Sequence, residues 1–196
     1  MTEPAVAVFG SSATVTDSED WLDAVAVGEG LAKAGFAVVT GGYGGTMEAV
    51  SLGASRNGGH VIGVTVNSLF PNRSGANSHV RTTDDAPTLS ERIGRMLSIT
   101  QASIALPGSI GTAAELIIAW NTNHVLRKSG LDPIPIAAVG ESWFPLRTAL
   151  SDGLGAFEED VHWAATGQEA VAWVVERLEE GTGRAKLHGW PSSYSG

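Results

Sequence analysis

The stretch SIALPGSIGTAAELI, residues 103–117, decides the fold class of this 196-residue chain. Its first four residues, Ser103 to Leu106, have the apolar pattern of a short buried strand. The glycine-rich turn Pro107 to Thr112 follows directly, and a helix is predicted after it, from about Ala113 to Arg127. This order of strand, glycine turn and helix is typical of an α/β protein.

Strands and helices alternate along the rest of the chain as well. A second unit has a strand at Phe36 to Thr40, the turn GGYGGT at Gly41 to Thr46, and a helix to about Arg56. The pattern also predicts strands at 5–9, 60–66, 80–83, 134–139 and 161–164, and helices at 18–34, 87–101 and 168–178. Because strands that alternate with helices form parallel sheets with right-handed crossovers, we expect a mostly parallel central sheet flanked by helices.

Length and composition bound the class of protein. We expect a single domain over residues 1–181 and a loosely ordered C-terminal tail over residues 182–196. No apolar run approaches the roughly 20 residues that span a bilayer, and the N-terminus lacks a secretory pattern, so we expect a cytoplasmic protein without a membrane partner. A net charge of −9, with only 12 Lys and Arg, argues against a nucleic-acid partner. The lack of cysteine excludes disulfides and thiolate metal sites.

Both glycine-rich turns have a composition suited to binding phosphate. A glycine turn that leads into a helix presents unpaired backbone N–H groups and the positive end of the helix dipole. Alternatively, the glycines only close tight turns and let helices pack on strands. Two turns at equivalent positions favour phosphate binding. The standard fingerprints are missing, since Gly42 to Met47 lacks the third glycine of G-x-G-x-x-G and the chain has no Gly-Lys-Ser/Thr.

Other catalytic chemistries find no support in the sequence. Ser109 is not predicted to be a hydrolase nucleophile, because Pro107 occupies the first glycine position of G-x-S-x-G. The five histidines form no pair with metal-ligand spacing. A lysine-bound pyridoxal phosphate is excluded, because only Lys33, Lys128 and Lys186 are present and none adjoins a glycine turn. We therefore expect no metal and no cofactor.

Two charged residues, Glu115 and Arg92, each have two interpretations. Thr112 to Glu115 match a helix capping box, in which the carboxylate binds the backbone N–H of Thr112. In the other interpretation, Glu115 lies beside a phosphate site and faces a ribose hydroxyl or a developing cation. Arg92 and Arg95 lie three residues apart on a predicted helix, where a solvated salt-bridged face is the alternative to a functional site.

Five segments together resemble the Lonely Guy family of cytokinin riboside 5′-monophosphate phosphoribohydrolases. They are Gly10–Ser12, Thr40–Val50, Gly58–Val64, Glu91–Met96 and Pro107–Glu115. The last is the most specific, because it resembles the family pattern P-G-G-x-G-T-x-x-E with Ser109 for the second glycine. The resemblance implies a Rossmann-like three-layer fold and a protein that, like most of the family, is a homodimer. It also implies hydrolysis of the N-glycosidic bond of a nucleoside 5′-monophosphate, such as AMP or N6-modified AMP, to free base and ribose 5-phosphate.

The resemblance also assigns roles to individual residues. It implies that Arg92 and Glu115 are catalytic and that Gly108, Gly111 and Thr112 bind the phosphate. With the neighbouring turn residues, the predicted substrate-binding set is Ser11, Gly41, Gly42, Gly44, Gly45, Thr46, Gly108, Ser109, Gly111 and Thr112. Glu115 is expected to stabilise an oxocarbenium-like transition state and to orient or deprotonate the attacking water. Arg92 keeps its proton and is expected to act as an electrostatic clamp.

The chain also departs from the family pattern. Ile93 replaces the lysine of the usual arginine–lysine pair, Ser109 replaces a glycine, and residues 126–132 look inserted, which leaves substrate choice and turnover open. The main alternative is a non-catalytic carrier or sensor of a nucleotide-like ligand, as in the molybdenum-cofactor carriers built on this fold. A third is a dimeric structural protein with vestigial loops. A carrier keeps the loops without needing Arg92 and Glu115 to act.

Overall fold

The computed structural model describes residues 3–70 and 75–181, in which a seven-stranded sheet lies between two layers of helices. The strands are β1 (Ala5–Phe9), β2 (Ala37–Thr40), β3 (Val61–Thr65), β4 (Thr82–Asp85), β5 (Ala102–Ala105), β6 (Ile136–Val139) and β7 (His162–Ala164). The helices are α1 (Glu19–Lys33), α2 (Thr46–Arg56), α3 (Leu89–Ser98), α4 (Ile110–Lys128), α5 (Phe144–Leu154) and α6 (Gly167–Glu179). This architecture confirms the predicted Rossmann-like α/β fold.

The strand order creates a crevice at the centre of the sheet. All neighbouring strands are parallel, in the order β4-β3-β2-β1-β5-β6-β7. The chain therefore builds outward from β1 to β4 and then returns to the other side of β1 with β5. Ligands of open parallel sheets bind at the carboxyl ends of the strands where the order reverses, which here is between β1 and β5.

Alternate side chains of each strand face the two helix layers. In β1, Val6 and Val8 belong to the core that contains residues of α1, α2 and α6. Ala7 and Phe9 belong to the core on the other face, which contains residues of α3 and α4 and is bordered by α5. Because α3 and α4 share this face, side chains from the two helices meet at the carboxyl edge of the sheet.

The third helix begins later than the sequence predicts. The Thr88 side chain accepts a hydrogen bond from the Glu91 N–H at 3.2 Å, which makes Thr88 the N-cap of α3. The predicted helix start at residue 87 is therefore wrong, because Pro87 precedes the cap. The strand predicted at 80–83 runs instead from Thr82 to Asp85.

Two further differences concern α4 and α5. Helix α4 begins at Ile110, three residues before its predicted start, with Ser109 at the N-cap. Helix α5 is not predicted by the sequence pattern at all. The predicted tail, residues 182–196, lies outside the described residues. In the described ranges, no helix combines the length and apolar character needed to cross a membrane.

Candidate active site

The carboxyl edge of the sheet brings the two predicted glycine turns together. Residues 41–46, which we call loop 1, join β2 to α2, and residues 107–112, which we call loop 2, lead from β5 into α4. Gly10 and Ser11 follow β1, which lies between β2 and β5. The Thr46 N–H donates to the Ser11 carbonyl at 2.8 Å, so loop 1 is fastened to this segment. The predicted substrate-binding residues therefore follow three adjacent strands.

Arg92 on α3 and Glu115 on α4 form a buried ion pair at the same edge. Arg92 Nη1 lies 3.1 Å from Glu115 Oε1, and the two side chains are only 11% and 8% exposed. Arg95, about one turn later on α3, instead pairs with Asp84 on β4, and both of these side chains are partly exposed. The solvated-face interpretation therefore fits Arg95 and is wrong for Arg92.

Further contacts hold the Arg92 guanidinium in place. Its Nε donates to the Val64 carbonyl on β3 at 2.8 Å, and its Nη2 lies 3.8 Å from the Met47 sulfur. The guanidinium carbon lies 5.9 Å from the centre of the Tyr43 ring, within the range of a cation–π contact. Because the guanidinium is planar and rigid, contacts in several directions fix its orientation. Arg92 thus presents a preorganised positive charge to Glu115.

The structure excludes the capping-box interpretation of Glu115. Because α4 begins at Ile110, Thr112 lies inside the first turn rather than at the N-cap, and the carboxylate accepts a hydrogen bond from Arg92. Burial raises the pKa of Glu115 from 4.5 to about 7, although the nearby Arg92 guanidinium lowers it. A carboxyl group of this kind exchanges protons near neutral pH. Glu115 is therefore suited to general acid–base chemistry.

Loop 2 has the features of an open anion site. Gly108, Ser109 and Gly111 are exposed, and among the described residues the Ser109 side chain has no capping partner. The first turn of α4, which is fully described, has no acidic side chain. The N–H groups of a first helical turn lack partners within the helix, so they are available to an anion. Glycine is also required at position 108 for space, since a Cβ there would lie 2.2 Å from Thr112 Oγ1.

Loop 1 is packed more tightly than loop 2. Its glycines are buried, except for Gly44, which is half-buried. Gly45 has a φ of 68°, and a Cβ there would lie 2.4 Å from the Ser11 carbonyl oxygen. The Thr46 hydroxyl lies 2.7 Å from the Thr14 hydroxyl, within hydrogen-bond distance. The Thr46 hydroxyl is therefore engaged inside the protein, and loop 1 is less open than loop 2.

Two residues outside the predicted substrate-binding set lie beside loop 1. The Asn77 side-chain amide donates to the carbonyls of Gly42 and Tyr43 at 3.1 and 2.9 Å. Glu48, in the first turn of α2, places a carboxylate oxygen 3.7 Å from where a Cβ on Gly44 would be. The sequence signal for Glu48 is an acidic residue directly after a glycine turn. Asn77 has a weaker signal, its position in a polar loop after β3.

Comparison with known proteins gives a family match that includes both loops and the ion pair. Residues 3–128 match the model of the SLOG cluster4 family. Over 164 residues, the chain is 32% identical to the cytokinin riboside 5′-monophosphate phosphoribohydrolase LOG of rice, Oryza sativa subsp. japonica. The alignment covers 80% of this chain and 65% of the rice protein, so the chain spans slightly less than two thirds of that relative.

Two solved structures share the fold over most of the chain. One is the molybdenum cofactor binding protein of Rippkaea orientalis, with a TM-score of 0.72 and 19% sequence identity. The other is the molybdenum cofactor carrier protein of Chlamydomonas reinhardtii, with a TM-score of 0.69 and 24% identity. Each match covers 91% of this chain and 99% of the other protein. At these identities the likeness establishes the fold alone.

Proposed function

Because this chain belongs to the SLOG cluster4 (Lonely Guy) family, we propose that it hydrolyses the N-glycosidic bond of a nucleoside 5′-monophosphate, releasing free base and ribose 5-phosphate. The observation that carries the proposal is the buried Arg92–Glu115 pair beside an open anion loop. The name of the rice relative states this reaction class for a cytokinin riboside 5′-monophosphate. We name AMP and N6-modified AMP as the substrates to test.

Glu115 is the proposed catalytic base. Cleavage of the bond between ribose and base develops positive charge on the sugar ring, which a carboxylate beside C1′ stabilises. The same carboxylate accepts a proton from the attacking water, whose oxygen forms a new bond to C1′. The bond from C1′ to the base nitrogen breaks, and the base leaves with the electron pair. It takes up a proton from solvent to become the neutral free base, and Glu115 returns its proton to solvent. Arg92 keeps its charge and lowers the pKa of Glu115, which favours the ionised carboxylate.

Loop 2 is the proposed phosphate site, with Gly108, Ser109, Gly111 and Thr112 around the anion. The charge of a nucleoside monophosphate is complementary to the N-terminus of α4, where the helix dipole is positive. The Ser109 hydroxyl adds a hydrogen-bond donor at the position where the family pattern has glycine. Recognition at this loop predicts a strict preference for phosphorylated substrates.

AMP is expected to be cleaved at least about 100-fold more efficiently, in kcat/KM, than adenosine, which lacks the phosphate. Hydrogen bonds to a charged group contribute about 1.5–3 kcal/mol each, so two of them account for this factor. The assay incubates the protein with AMP, N6-isopentenyl AMP or adenosine and follows free base by chromatography. Equal efficiency with AMP and adenosine would rule out a phosphate site on loop 2.

A non-catalytic carrier of a nucleotide-like ligand is the second candidate function. The observation that favours it is the shared fold with two molybdenum-cofactor-binding proteins over 91% of the chain. A carrier is expected to show a ligand-dependent rise in melting temperature without release of base. A structural protein with vestigial loops is expected to show neither response.

The rate of base release is expected to depend on pH through Glu115. The pKa of Glu115 is about 7 in the free protein, and the proposed mechanism needs the ionised carboxylate. The kcat/KM for AMP should therefore rise about tenfold per pH unit below about pH 7 and become constant above it. A pH series at subsaturating AMP measures this profile. A profile that falls above about pH 7 would instead assign Glu115 the role of an acid.

We further propose that the protein works as a homodimer in the cytoplasm. Ile110, Ile118 and Val125 lie on one face of α4, and their side chains are 85%, 41% and 54% exposed. A second copy of the chain is the proposed cover for this face. Ile110 belongs to loop 2, so the interface would border the phosphate site. Sedimentation equilibrium tests the dimer.

The cytoplasm is proposed as the location because a charged nucleotide does not cross membranes unaided.

A further inference from the structure

We propose that loop 1 holds the Arg92 guanidinium in place rather than acting as a second phosphate loop, and that Gly41 is the positioning residue that makes room for it. The groups around the guanidinium, from Gly41, Tyr43, Met47 and Val64, are called the seat below. This inference rests on the proposed function and deepens it, because it assigns the substrate phosphate to one of the two loops. It replaces the sequence-based expectation that Gly41 to Thr46 contact the phosphate together with loop 2.

Gly41 lies directly against the guanidinium group. A Cβ on Gly41 would lie 1.6 Å from Arg92 Nη2 and 2.6 Å from the Met47 sulfur. Unlike Gly42 and Gly45, Gly41 does not have a positive φ, so its backbone conformation is open to any residue. The space that Arg92 occupies is therefore the reason for glycine at position 41.

The rest of the seat is built from backbone and aromatic groups. The Val64 carbonyl accepts the Arg92 Nε–H at 2.8 Å, and the Tyr43 ring lies 5.9 Å from the guanidinium carbon. Tyr43 is itself fixed, because its hydroxyl accepts the Val66 N–H at 2.7 Å. Asn77 donates to the Tyr43 carbonyl at 2.9 Å and so holds the loop from the other side. These contacts set the orientation of the guanidinium relative to the catalytic carboxylate.

Loop 1 is also a poor place for a phosphate. The Thr46 N–H and hydroxyl are both engaged within the protein, by Ser11 and Thr14. Glu48 places a negative charge in the first turn of α2, where it opposes binding of an anion. The first turn of α4 has no such charge in the described structure. The phosphate is therefore assigned to loop 2, and the ribose extends from there toward the Arg92–Glu115 pair.

Gly41→Ala tests the seat directly. We expect the kcat for AMP to fall at least about 100-fold, because a displacement of about 1 Å in a catalytic group has an effect of this size. The Kd of ribose 5-phosphate, which still carries the phosphate, should change by less than about threefold. The pH profile should also move to higher pH, because a displaced Arg92 no longer lowers the pKa of Glu115. Gly153→Ala is the matched control, since no described atom lies within 4 Å of its added Cβ.

Gly111→Asp tests the assignment of the phosphate to loop 2. Unlike Gly41→Ala, it is expected to weaken the binding of ribose 5-phosphate. A Cβ on Gly111 meets no described atom within 4 Å, so the substitution adds a negative charge without a clash. We expect the Kd of ribose 5-phosphate to rise at least about tenfold, because the carboxylate competes with phosphate for the helix N-terminus. If Gly41→Ala weakens ribose 5-phosphate as much as Gly111→Asp does, loop 1 holds the phosphate and the inference is overturned.

A double variant keeps the inference testable if Gly41→Ala alone is too unstable to assay. Gly41→Ala should lower the melting temperature of the wild type but change it little in an Arg92→Ala background, where the guanidinium is gone and Met47 can shift. Equal losses in both backgrounds would overturn the inference. If the wild type releases no base, the proposed function fails. Ribose 5-phosphate binding and the melting temperatures still decide which loop binds the phosphate and which loop holds the Arg92 guanidinium.

Discussion

Glu115→Gln is expected to lower the rate of base release by about 1,000-fold or more while the Kd for AMP changes by less than about threefold. Glutamine has nearly the same shape and its amide oxygen still accepts a hydrogen bond from Arg92. The glutamine side chain has no negative charge to stabilise a developing cation, and it does not take a proton from water. Single-turnover release of adenine and calorimetric binding of AMP measure the two effects separately. Substantial turnover by this variant would remove Glu115 from the mechanism.

The same variant has a second expected signature, in the pH dependence of stability. The pKa of Glu115 is raised in the folded protein from 4.5 to about 7, so folding favours the protonated carboxyl. The free energy of unfolding of the wild type should therefore fall as pH rises from about 4.5 to about 7, by about 3 kcal/mol at most, and change no further above. Urea denaturation over this pH window should show a larger fall in the wild type than in Glu115→Gln, which lacks the contribution of this carboxyl.

Arg92→Ala is expected to lower kcat/KM for AMP by about 100-fold to 1,000-fold, the second-largest effect. The substitution removes a fixed positive charge from the site. It also leaves the burial of Glu115 unopposed, so the pKa of Glu115 should rise further and less carboxylate should be ionised at neutral pH. Arg92→Lys should recover little of the loss, because an ammonium group lacks the planar fork that contacts Val64 and Glu115 together. Steady-state kinetics as a function of pH measure both effects.

Arg95→Ala is the matched control for Arg92. Arg95 lies on the same helix, but its partner is Asp84 and both side chains are partly exposed. Since exposed ion pairs contribute little, we expect kcat/KM within about twofold of the wild type. If Arg92→Ala behaves like Arg95→Ala, the buried pair has only a structural role and the carrier becomes the better interpretation.

The strand pattern could be predicted because strands of a parallel sheet are buried on both faces and appear as continuous apolar runs. For β1 the predicted and observed bounds are both Ala5 to Phe9. Helix α5 escaped prediction for the opposite reason. None of its described residues is fully buried, so it lacks the apolar stripe that marks a helix packed on a core. Leu146 and Leu150 only border the core.

The site could be predicted only in part, because it depends on contacts between distant segments. Arg92 and Glu115 lie on different helices, and only the packing of α3 and α4 on one face of the sheet brings them together. The capping-box pattern at Thr112 misled because its meaning depends on where the helix begins, and Ser109 is the actual N-cap. Short-range spacing carries no information on which side chain fills the space beside a glycine.

The close approach of Gly41 to Arg92 ties together two positions that are far apart in the chain. A relative that keeps the arginine is restricted to glycine at the first position, whereas a relative that has lost the arginine is free to carry a larger residue there. We therefore expect the two positions to vary together during evolution. Their joint identity would then distinguish lineages that retained a hydrolytic apparatus from lineages in which the same scaffold only stores a ligand. This chain carries the glycine–arginine combination.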